Sequence, residues 1–228
     1  MTDVKIDIQP LITQYFAQAI QVDDQPIDAT LFAEGKWLTS FITPQALEIE
    51  KLHHNLTEGI HDSEDRLIAL WDWVASQVEY IKFVKARVSI GGNSFSQDDY
   101  WTSPSITRRI QVGNCATQSF LLASLLRNEL PPSQVYCVLG NLYNGTAGGH
   151  AWVSVMLGGD EYIMESTRYD APAIVPAIDA DRYEAVHYFN DESVLTIEGK
   201  TVMTPFTACY SSWLTDYLDW AYIEGAKG

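Results

Sequence analysis

Apolar residues recur at intervals of three and four in the first half of the chain and at alternate positions in much of the second half. The first spacing is typical of helices, and the second is typical of half-buried strands. Helical spacing covers residues 10–20, residues 44–56 after Thr43, and a segment that follows Asp62-Ser63 and ends near Tyr80. Thr43 and Asp62 are both N-cap residue types. The chain is therefore predicted to begin with helices.

A fourth helical run begins at Cys115 and is apolar on every side as far as Arg127. Pro131-Pro132 follows it, and proline cannot continue a helix. Between this run and the earlier helices, residues 85–105 are rich in glycine, asparagine and serine, which favours an irregular segment. Irregular segments of that length inside a domain are often functional, so we expect it to form a wall of a cleft.

Strand-like alternation begins at Val135. It covers residues 135–140 and 150–157 and returns at 161–166, with Gly158-Gly159 as the hairpin turn between the last two runs. Residues 141–149 contain three glycines and are predicted to form a connecting loop. The remaining elements are weaker: short strands over residues 186–189, 194–197 and 201–203, and a closing helix over residues 211–224.

Helices followed by an antiparallel sheet predict an α+β fold. The chain of 228 residues suits one large domain, and 46% hydrophobic residues are ample for its core. With no repeat or linker in the sequence, we predict a single domain over residues 1–228. Its core covers about residues 63–170, with an N-terminal helical extension (1–62) and C-terminal strands and a helix (171–228).

The net charge of −16 comes from 14 basic and 30 acidic residues. Such a surface repels a phosphate backbone unless a basic patch intervenes, and Lys82, Lys85 and Arg87 are too few to form one. We therefore expect neither nucleic acid nor a membrane surface as a partner. No apolar run approaches the length that crosses a bilayer.

The chain has three cysteines at wide spacing, Cys115, Cys137 and Cys209. An odd count without a regular pattern is not a disulfide framework. The sequence begins without a basic segment followed by an apolar one, which a signal peptide would show. We therefore expect reduced thiols and a cytoplasmic protein. Cys137 and Cys209 are expected to act as small buried hydrophobes.

Cys115 differs from the other cysteines because it lies at the predicted start of a helix, after Gly113-Asn114. The unpaired backbone N–H groups and the positive end of the helix dipole favour its thiolate, which is the nucleophile. His150 and Glu165 follow, 35 and 50 residues after Cys115. A sulfur, an imidazole and a carboxylate are the groups that nucleophilic catalysis needs. Since one hairpin separates His150 from Glu165, the two can meet across the strands.

Several motifs together resemble the transglutaminase-like superfamily of papain-like cysteine enzymes, over about residues 63–170. They are Trp71-Asp72-Trp73-Val74, Trp101-Thr102-Ser103-Pro104, Gly113-Asn114-Cys115, His150-Ala151-Trp152-Val153-Ser154-Val155 and Glu165-Ser166-Thr167. The resemblance implies a papain-like core in which the nucleophile helix packs on an antiparallel sheet.

The resemblance also implies a role for each site residue and no cofactor. Cys115 would be the nucleophile, His150 the general base and Glu165 the acid that orients the imidazole. The oxyanion hole would combine the backbone N–H of Cys115 with a side-chain donor, for which Gln111 and Trp101 are both candidates. Trp152 is expected to pack beneath the site.

The acid of this family is usually aspartate, and here the motif position holds Glu165. Glutamate is one methylene longer, so its carboxylate must fold back or its strand must lie farther from the imidazole. Asp160 and Asp170 are nearby carboxylates that could take its place, although neither occupies the motif position.

These residues predict an enzyme that works through a thioester. Water as acceptor makes it a protease or amidase acting on a peptide, isopeptide or amide bond, which we favour. An amine as acceptor makes it a transglutaminase-type transferase. A catalytically inactive peptide-binding module is a further alternative, and a zinc ion held by Cys115, His150 and Glu165 is another. A protein or peptide is the expected substrate, and the oligomeric state stays open.

Overall fold

The structure is a computed structural model, which describes residues 37–81, 101–144, 146–170 and 172–200, together with the backbone of residues 21–22, 25–26, 84–90, 93–97 and 223–225. The predicted helix at 10–20, the predicted strand at 201–203, Cys209 and most of the predicted helix at 211–224 lie outside the described residues.

The helices of the described chain are α1 (Leu47–Thr57), α2 (Ser63–Gln77), α3 (Pro104–Ile110) and α4 (Cys115–Leu126). Short 3-10 turns cover Trp37–Phe41, Pro132–Gln134 and Ala177–Asp179. Of the described residues, no helix has the length and apolar character needed to cross a bilayer.

The first two helices follow the sequence closely at two of their four ends. Helix α2 was predicted to end near Tyr80, but it ends at Gln77, and Glu79–Tyr80 is a strand. Asp62 accepts hydrogen bonds from the backbone N–H groups of Glu64 and Asp65, so it caps α2 as predicted. Gly59, with φ +79°, lies just beyond the end of α1. The start of α1 was wrong, because Thr43 forms a turn in which its carbonyl accepts from the N–H of Ala46, and the helix begins after that turn.

Helix α4 begins at Cys115 because Asn114 and Thr117 form a capping box. The N–H of Thr117 donates to Asn114 Oδ1 at 3.1 Å, and the N–H of Asn114 donates to Thr117 Oγ1 at 3.0 Å. A Cβ on Gly113 would lie 2.4 Å from Thr117 Oγ1, so this close approach requires glycine. All twelve residues of α4 are buried, as expected for a helix that is apolar on every side.

The second half forms a six-stranded antiparallel sheet. Its strands are β1 (Val135–Asn144), β2 (Thr146–Leu157), β3 (Asp160–Met164), β4 (Val175–Pro176), β5 (Tyr183–Phe189) and β6 (Val194–Thr196). Their spatial order is β4-β3-β2-β1-β5-β6. The turn between β2 and β3 is the predicted one, with Gly158 at φ +63° and Gly159 at φ +98°.

The predicted loop over residues 141–149 was wrong. Strands β1 and β2 stay paired from Val135 opposite Val155 to Asn144 opposite Thr146, so the glycines of this segment belong to a long hairpin. Its register places His150 opposite Gly140. The pairing of β2 with β1 outweighs the weak strand propensity of glycine here.

The predicted irregular segment over residues 85–105 was also wrong. Val84–Ile90 and Asn93–Gln97 form an antiparallel pair, and α3 begins at Pro104. Ile223–Gly225 pairs with Val84–Ile90 from the other side, so the last two residues of the helix predicted at 211–224 are in a strand. Just after α2, Glu79–Tyr80 lies parallel to Val112–Gly113, which brings the end of α2 next to the start of α4.

One face of the sheet packs on α4, and the two together form the main core. The buried sheet residues of that core are Val135, Cys137, Leu139, Ala151, Val153, Val155, Met164 and Phe189. The opposite face carries a smaller cluster of Val138, Trp152 and Ile163. The predicted α+β fold, with the nucleophile helix packed on an antiparallel sheet, is confirmed.

Candidate active site

The thiol of Cys115 lies at the first position of α4 and is 8% exposed. It lies close enough to His150 to raise the pKa of that imidazole. The N–H groups of the first turn have no carbonyl partner within their own helix, so they point toward the end of α4 that carries the sulfur. This position places a nucleophile beside hydrogen-bond donors that could stabilise an oxyanion.

The imidazole of His150 lies between the sulfur and a carboxylate. Its Nε2 atom is 2.6 Å from Oε2 of Glu165. Since Nε2 faces the acid, Nδ1 is the ring nitrogen left for Cys115. Trp152, two residues along β2, lies below the imidazole with ring centroids 6.2 Å apart and planes at 26°. The predicted packing of Trp152 beneath the site is thus what the structure contains.

The carboxylate of Glu165 is 4% exposed and is held at both oxygens. Oε1 accepts from the N–H of Thr167 at 3.0 Å and from its Oγ1 at 2.7 Å. Oε2 accepts from the hydroxyl of Tyr183 at 3.0 Å, in addition to its contact with His150. The backbone is fixed as well, because Trp71 Nε1 donates to the carbonyl of Glu165 at 2.9 Å.

The extra methylene of glutamate is accommodated by this folding back toward Thr167. The side chain turns to its own chain two residues later, which leaves Oε2 directed at the imidazole. The two alternative carboxylates do not take this place: Asp160 is exposed at the start of β3, and Asp170 is exposed and paired with Arg168 at 3.2 Å.

The charges of the three groups depend on one another. Burial alone would lower the pKa of His150, but the hydrogen bonds and negative charges of Cys115 and Glu165 raise its pKa well above the ordinary value. Burial would raise the pKa of Glu165, but His150 and the two donors of Thr167 lower that pKa overall. The geometry therefore favours an imidazolium next to an ionised carboxylate.

Cys137 contrasts with Cys115. It is completely buried in β1, and burial together with the nearby Cys115 raises the pKa of its thiol well above the ordinary value. Both described cysteines are free thiols. Cys137 therefore behaves as the predicted small buried hydrophobe and stays protonated.

Gly140 leaves the space that the ring of Trp152 occupies beneath His150. A Cβ at this position would lie 2.6 Å from the ring of Trp152 and 2.2 Å from the carbonyl oxygen of Glu184. Tyr183 packs edge-on against Trp152, with ring centroids 5.1 Å apart. Trp152 can lie flat under the imidazole because β1 has no side chain at Gly140.

The two oxyanion candidates lie in different environments. Gln111 is exposed, ends α3 in the left-handed conformation (φ 51°), and its N–H donates to the carbonyl of Thr107. Trp101 is completely buried and packs edge-on against Phe41 and Phe120, at 5.4 and 5.2 Å. Trp101 is thus part of the aromatic core, and the choice of side-chain oxyanion donor stays a prediction.

Two residues hold Glu165 through hydrogen bonds that the sequence did not predict. Thr167 belongs to the motif that follows the acid, but its two hydrogen bonds to Glu165 depend on the turn after β3. Tyr183 was missed entirely. It lies at the start of β5, which borders β1 and not β3, so no local pattern relates it to Glu165.

A cavity of about 330 Å³ opens beside the acid. Glu165 and Tyr183 both contribute to its wall, and the other lining residues are Leu142, Ile163, Arg168, Asp170, Pro172, Val175, Asp179, Ala180, Asp181 and Arg182. It lies on the sheet face that carries Ile163, which is opposite the face that packs on α4.

The zinc alternative does not fit the donor geometry. Nε2 of His150 and Oε2 of Glu165 are 2.6 Å apart, which is a hydrogen-bond distance and leaves no room for an ion between them. Within the described part of the chain, no group of three or more histidine, cysteine, aspartate or glutamate side chains is arranged to hold a metal.

No family model matches the chain, and no curated protein matches it either. Among solved structures, EGTA-treated LapG of Legionella pneumophila matches with a TM-score of 0.51 and 14% identity, over 90% of this chain and 94% of that one. Calcium-bound LapG matches with a TM-score of 0.43 and 18% identity, over 78% and 100%. A Cytophaga hutchinsonii protein described as a candidate cysteine protease matches with a TM-score of 0.42 and 23% identity, over 79% and 60%.

The likeness to EGTA-treated LapG shows a shared fold. The chain thus has a papain-like, transglutaminase-like α+β fold, as the sequence motifs implied. At this level of identity the likeness says nothing of which residues act or on what. The reaction must be argued from the chain's own side chains.

Proposed function

We propose that this protein is a thiol-dependent acyl-transfer enzyme that hydrolyses a peptide, isopeptide or amide bond through a thioester. The observation that supports this best is that Cys115 lies beside His150 and that His150 contacts Glu165, with the sulfur at the N-terminus of a buried helix. A thiol, a base and an orienting acid in contact are what acyl transfer by a cysteine requires.

In the proposed first step, the sulfur of Cys115 attacks the carbonyl carbon, and the carbonyl oxygen becomes an oxyanion that accepts from the backbone N–H at the start of α4. The imidazolium of His150 then gives its proton to the leaving nitrogen. The C–N bond breaks, the amine departs, and the acyl group remains on Cys115 as a thioester.

In the proposed second step, neutral His150 takes a proton from water while the water oxygen attacks the thioester carbon. The C–S bond breaks, the acid product leaves, and the thiolate and imidazolium are restored. Glu165 holds the imidazole in one orientation and stabilises its charged form throughout. If an amine attacks in place of water, the same intermediate gives a new amide, which is the transferase alternative.

Trapping the intermediate tests this proposal. A peptide library that carries C-terminal thiol-reactive groups is expected to label Cys115, as read by mass spectrometry of the digested protein. His150→Ala should slow the labelling by at least about tenfold. Cys137→Ser is the matched control, and it should leave the labelling unchanged. If Cys115 of the wild-type protein is labelled no faster than Cys115 of His150→Ala, the proposed enzymatic function is overturned and a peptide-binding module is favoured.

The acceptor is tested with the substrate that the library identifies. Hydrolysis predicts a free carboxylic acid as the main product even when a primary amine such as glycine methyl ester is added. Predominant formation of the amide with the added amine would favour the transferase.

A further inference from the structure

We propose that Tyr183 is a positioning residue of this site, whose hydroxyl fixes the orienting carboxylate of Glu165 and keeps it ionised. The inference rests on the function proposed above and extends it to a residue in the C-terminal part of the sheet. Three observations support it: the ring contacts of Tyr183, the contact of both Tyr183 and His150 with Oε2 of Glu165, and the cavity beside the acid.

The hydroxyl of Tyr183 donates to Oε2 of Glu165 at 3.0 Å, and Nε2 of His150 lies 2.6 Å from the same oxygen. The oxygen that orients the imidazole is therefore held from a second direction. Thr167 holds the other oxygen through two hydrogen bonds. Without Tyr183, Oε2 would keep His150 as its single partner. The carboxylate could then rotate about its Cγ–Cδ bond.

The ring of Tyr183 also packs against the groups beneath the imidazole. Its centroid lies 5.1 Å from that of Trp152 and 6.1 Å from that of His150. These contacts fix the direction in which the hydroxyl points. Aromatic packing of this kind locks the rotamer of a residue that acts through another residue.

Tyr183 and Glu165 share the wall of the 330 Å³ cavity. Water in that cavity would be the competing donor for Oε2, and it would bring no fixed geometry. The tyrosine hydroxyl occupies that position as part of a packed ring. We therefore expect its removal to loosen the acid more than the loss of one exposed hydrogen bond would.

The charges around the acid set the direction of the pH effect. His150 faces Glu165 from β2, and Cys115 lies behind that imidazole on α4. Arg168 follows the acid in its own loop, where it pairs with the exposed Asp170, and Arg182 precedes Tyr183. The neutral phenol donates a stronger hydrogen bond to the ionised carboxylate than to the protonated one, so it lowers the pKa of Glu165, and removing it raises that pKa.

Tyr183→Phe is the primary test, because it removes the hydroxyl and keeps the ring. At neutral pH we expect kcat to fall about tenfold, with KM changed by less than about twofold. The acid limb of the profile of kcat/KM against pH should move upward by about one unit, because the acid loses its charge at a higher pH. A structural role alone would not move this limb.

Tyr188→Phe is the matched control. Tyr188 lies on the same strand, is half-buried like Tyr183, and donates to Glu161 at 3.2 Å. The same loss of a tyrosine–carboxylate hydrogen bond should leave the pH profile of kcat/KM unchanged. An equal upward shift in Tyr188→Phe, or none in Tyr183→Phe, would overturn the inference.

A second variant covers the case in which Tyr183→Phe does not fold. Incorporation of 3-fluorotyrosine at position 183 keeps the ring and makes the hydroxyl a stronger donor. The acid limb should then move downward, opposite to the change in Tyr183→Phe. An acid limb at the wild-type pH in this variant would contradict a role for the hydroxyl.

A substrate-free measurement separates this inference from the proposed function. The rate at which iodoacetamide alkylates Cys115 is followed between pH 4 and 9 by mass spectrometry of the cysteine-containing peptide. If wild-type Cys115 reacts no faster than Cys115 in His150→Ala, the proposed function fails. If wild type reacts faster but Tyr183→Phe has the same acid limb, only the role of Tyr183 fails.

Discussion

Nε2 of His150 lies 2.6 Å from Oε2 of Glu165, although the two residues belong to opposite arms of a hairpin and are separated by 15 positions. The contact exists because the turn at Gly158-Gly159 pairs β2 with β3, and because Thr167 turns the glutamate back on its own chain. The pair is thus a local product of one hairpin. Its testable consequences begin with the acid.

Glu165→Gln should lower kcat/KM by about a hundredfold or more, because a neutral amide cannot stabilise the imidazolium of His150. Glu161→Gln is the matched control, since Glu161 is also on β3 and accepts from Ser154 and Tyr188 but does not contact the imidazole. Steady-state kinetics of both variants checks this. Equal activity in wild type and Glu165→Gln would contradict an orienting role.

Glu165→Asp should cost about tenfold in kcat/KM, although aspartate is the usual acid of the superfamily that the sequence motifs resemble. The shorter side chain cannot reach both Thr167 and His150, which the glutamate contacts from its two oxygens. We expect aspartate to keep its hydrogen bonds either to Thr167 or to His150, and to lose the others. Full activity in Glu165→Asp would show that the hydrogen bonds from Thr167 do not matter.

Stability should depend on pH in two directions. The pKa of His150 is raised from 6.5 to about 10, so its contribution is complete below about pH 6.5 and is lost as the pH rises through about 10. The pKa of Glu165 is lowered from 4.5, so its contribution is present above about pH 4.5 and is lost as the pH falls through the folded-state value. Both contributions are complete between about pH 4.5 and pH 6.5.

Urea unfolding of wild type and His150→Gln at pH 5.5, 8 and 10 measures this dependence. The difference in free energy of unfolding between the two proteins should shrink steadily from pH 5.5 to pH 10. A difference that stays constant over this range would mean that folding does not change the pKa of His150.

Gly140→Ala should destabilise the fold by about 2 kcal/mol, because the new methyl group meets the carbonyl of Glu184 and the ring of Trp152. Trp152 supports His150, so activity should fall in the protein that remains folded. Gly148→Ala on β2 is the control, since a Cβ there has no atom within 4 Å. Thermal unfolding of both variants checks the difference.

Asn114→Ala removes the cap that fixes the first turn of α4, and it should cost about 1 kcal/mol. Asp62→Ala removes the cap of α2 and should cost a similar amount. Only the first change lies next to Cys115, so only Asn114→Ala should slow the alkylation of that thiol. Equal alkylation rates in the two variants would show that the cap at Asn114 does not affect the reactivity of Cys115.

The sequence predicted the elements whose cause is local. Asp62 caps α2, the capping box starts α4 at Cys115, and the two glycines turn β2 into β3. Each of these depends on side chains within four positions. The three candidate site residues could be chosen for the same reason, because the helix start places Cys115 and the hairpin places both His150 and Glu165.

The sequence misled where distant partners decide. Residues 141–149 have glycines typical of a loop, but β1 and β2 remain paired through them, and β5 pairs with β1 at Asn141 and Leu142. The partner of the acid was beyond prediction as well. Tyr183 reaches Glu165 only after the chain has crossed from β4 at one edge of the sheet to β5 near the other.

Helix α4 has no side that faces solvent, since every residue from Cys115 to Leu126 is buried. A helix enclosed in this way cannot slide or tilt without opening the interior of the protein. Cys115, at the N-terminus of this helix, is therefore held in place, and the proposed reaction requires the substrate to come to the sulfur.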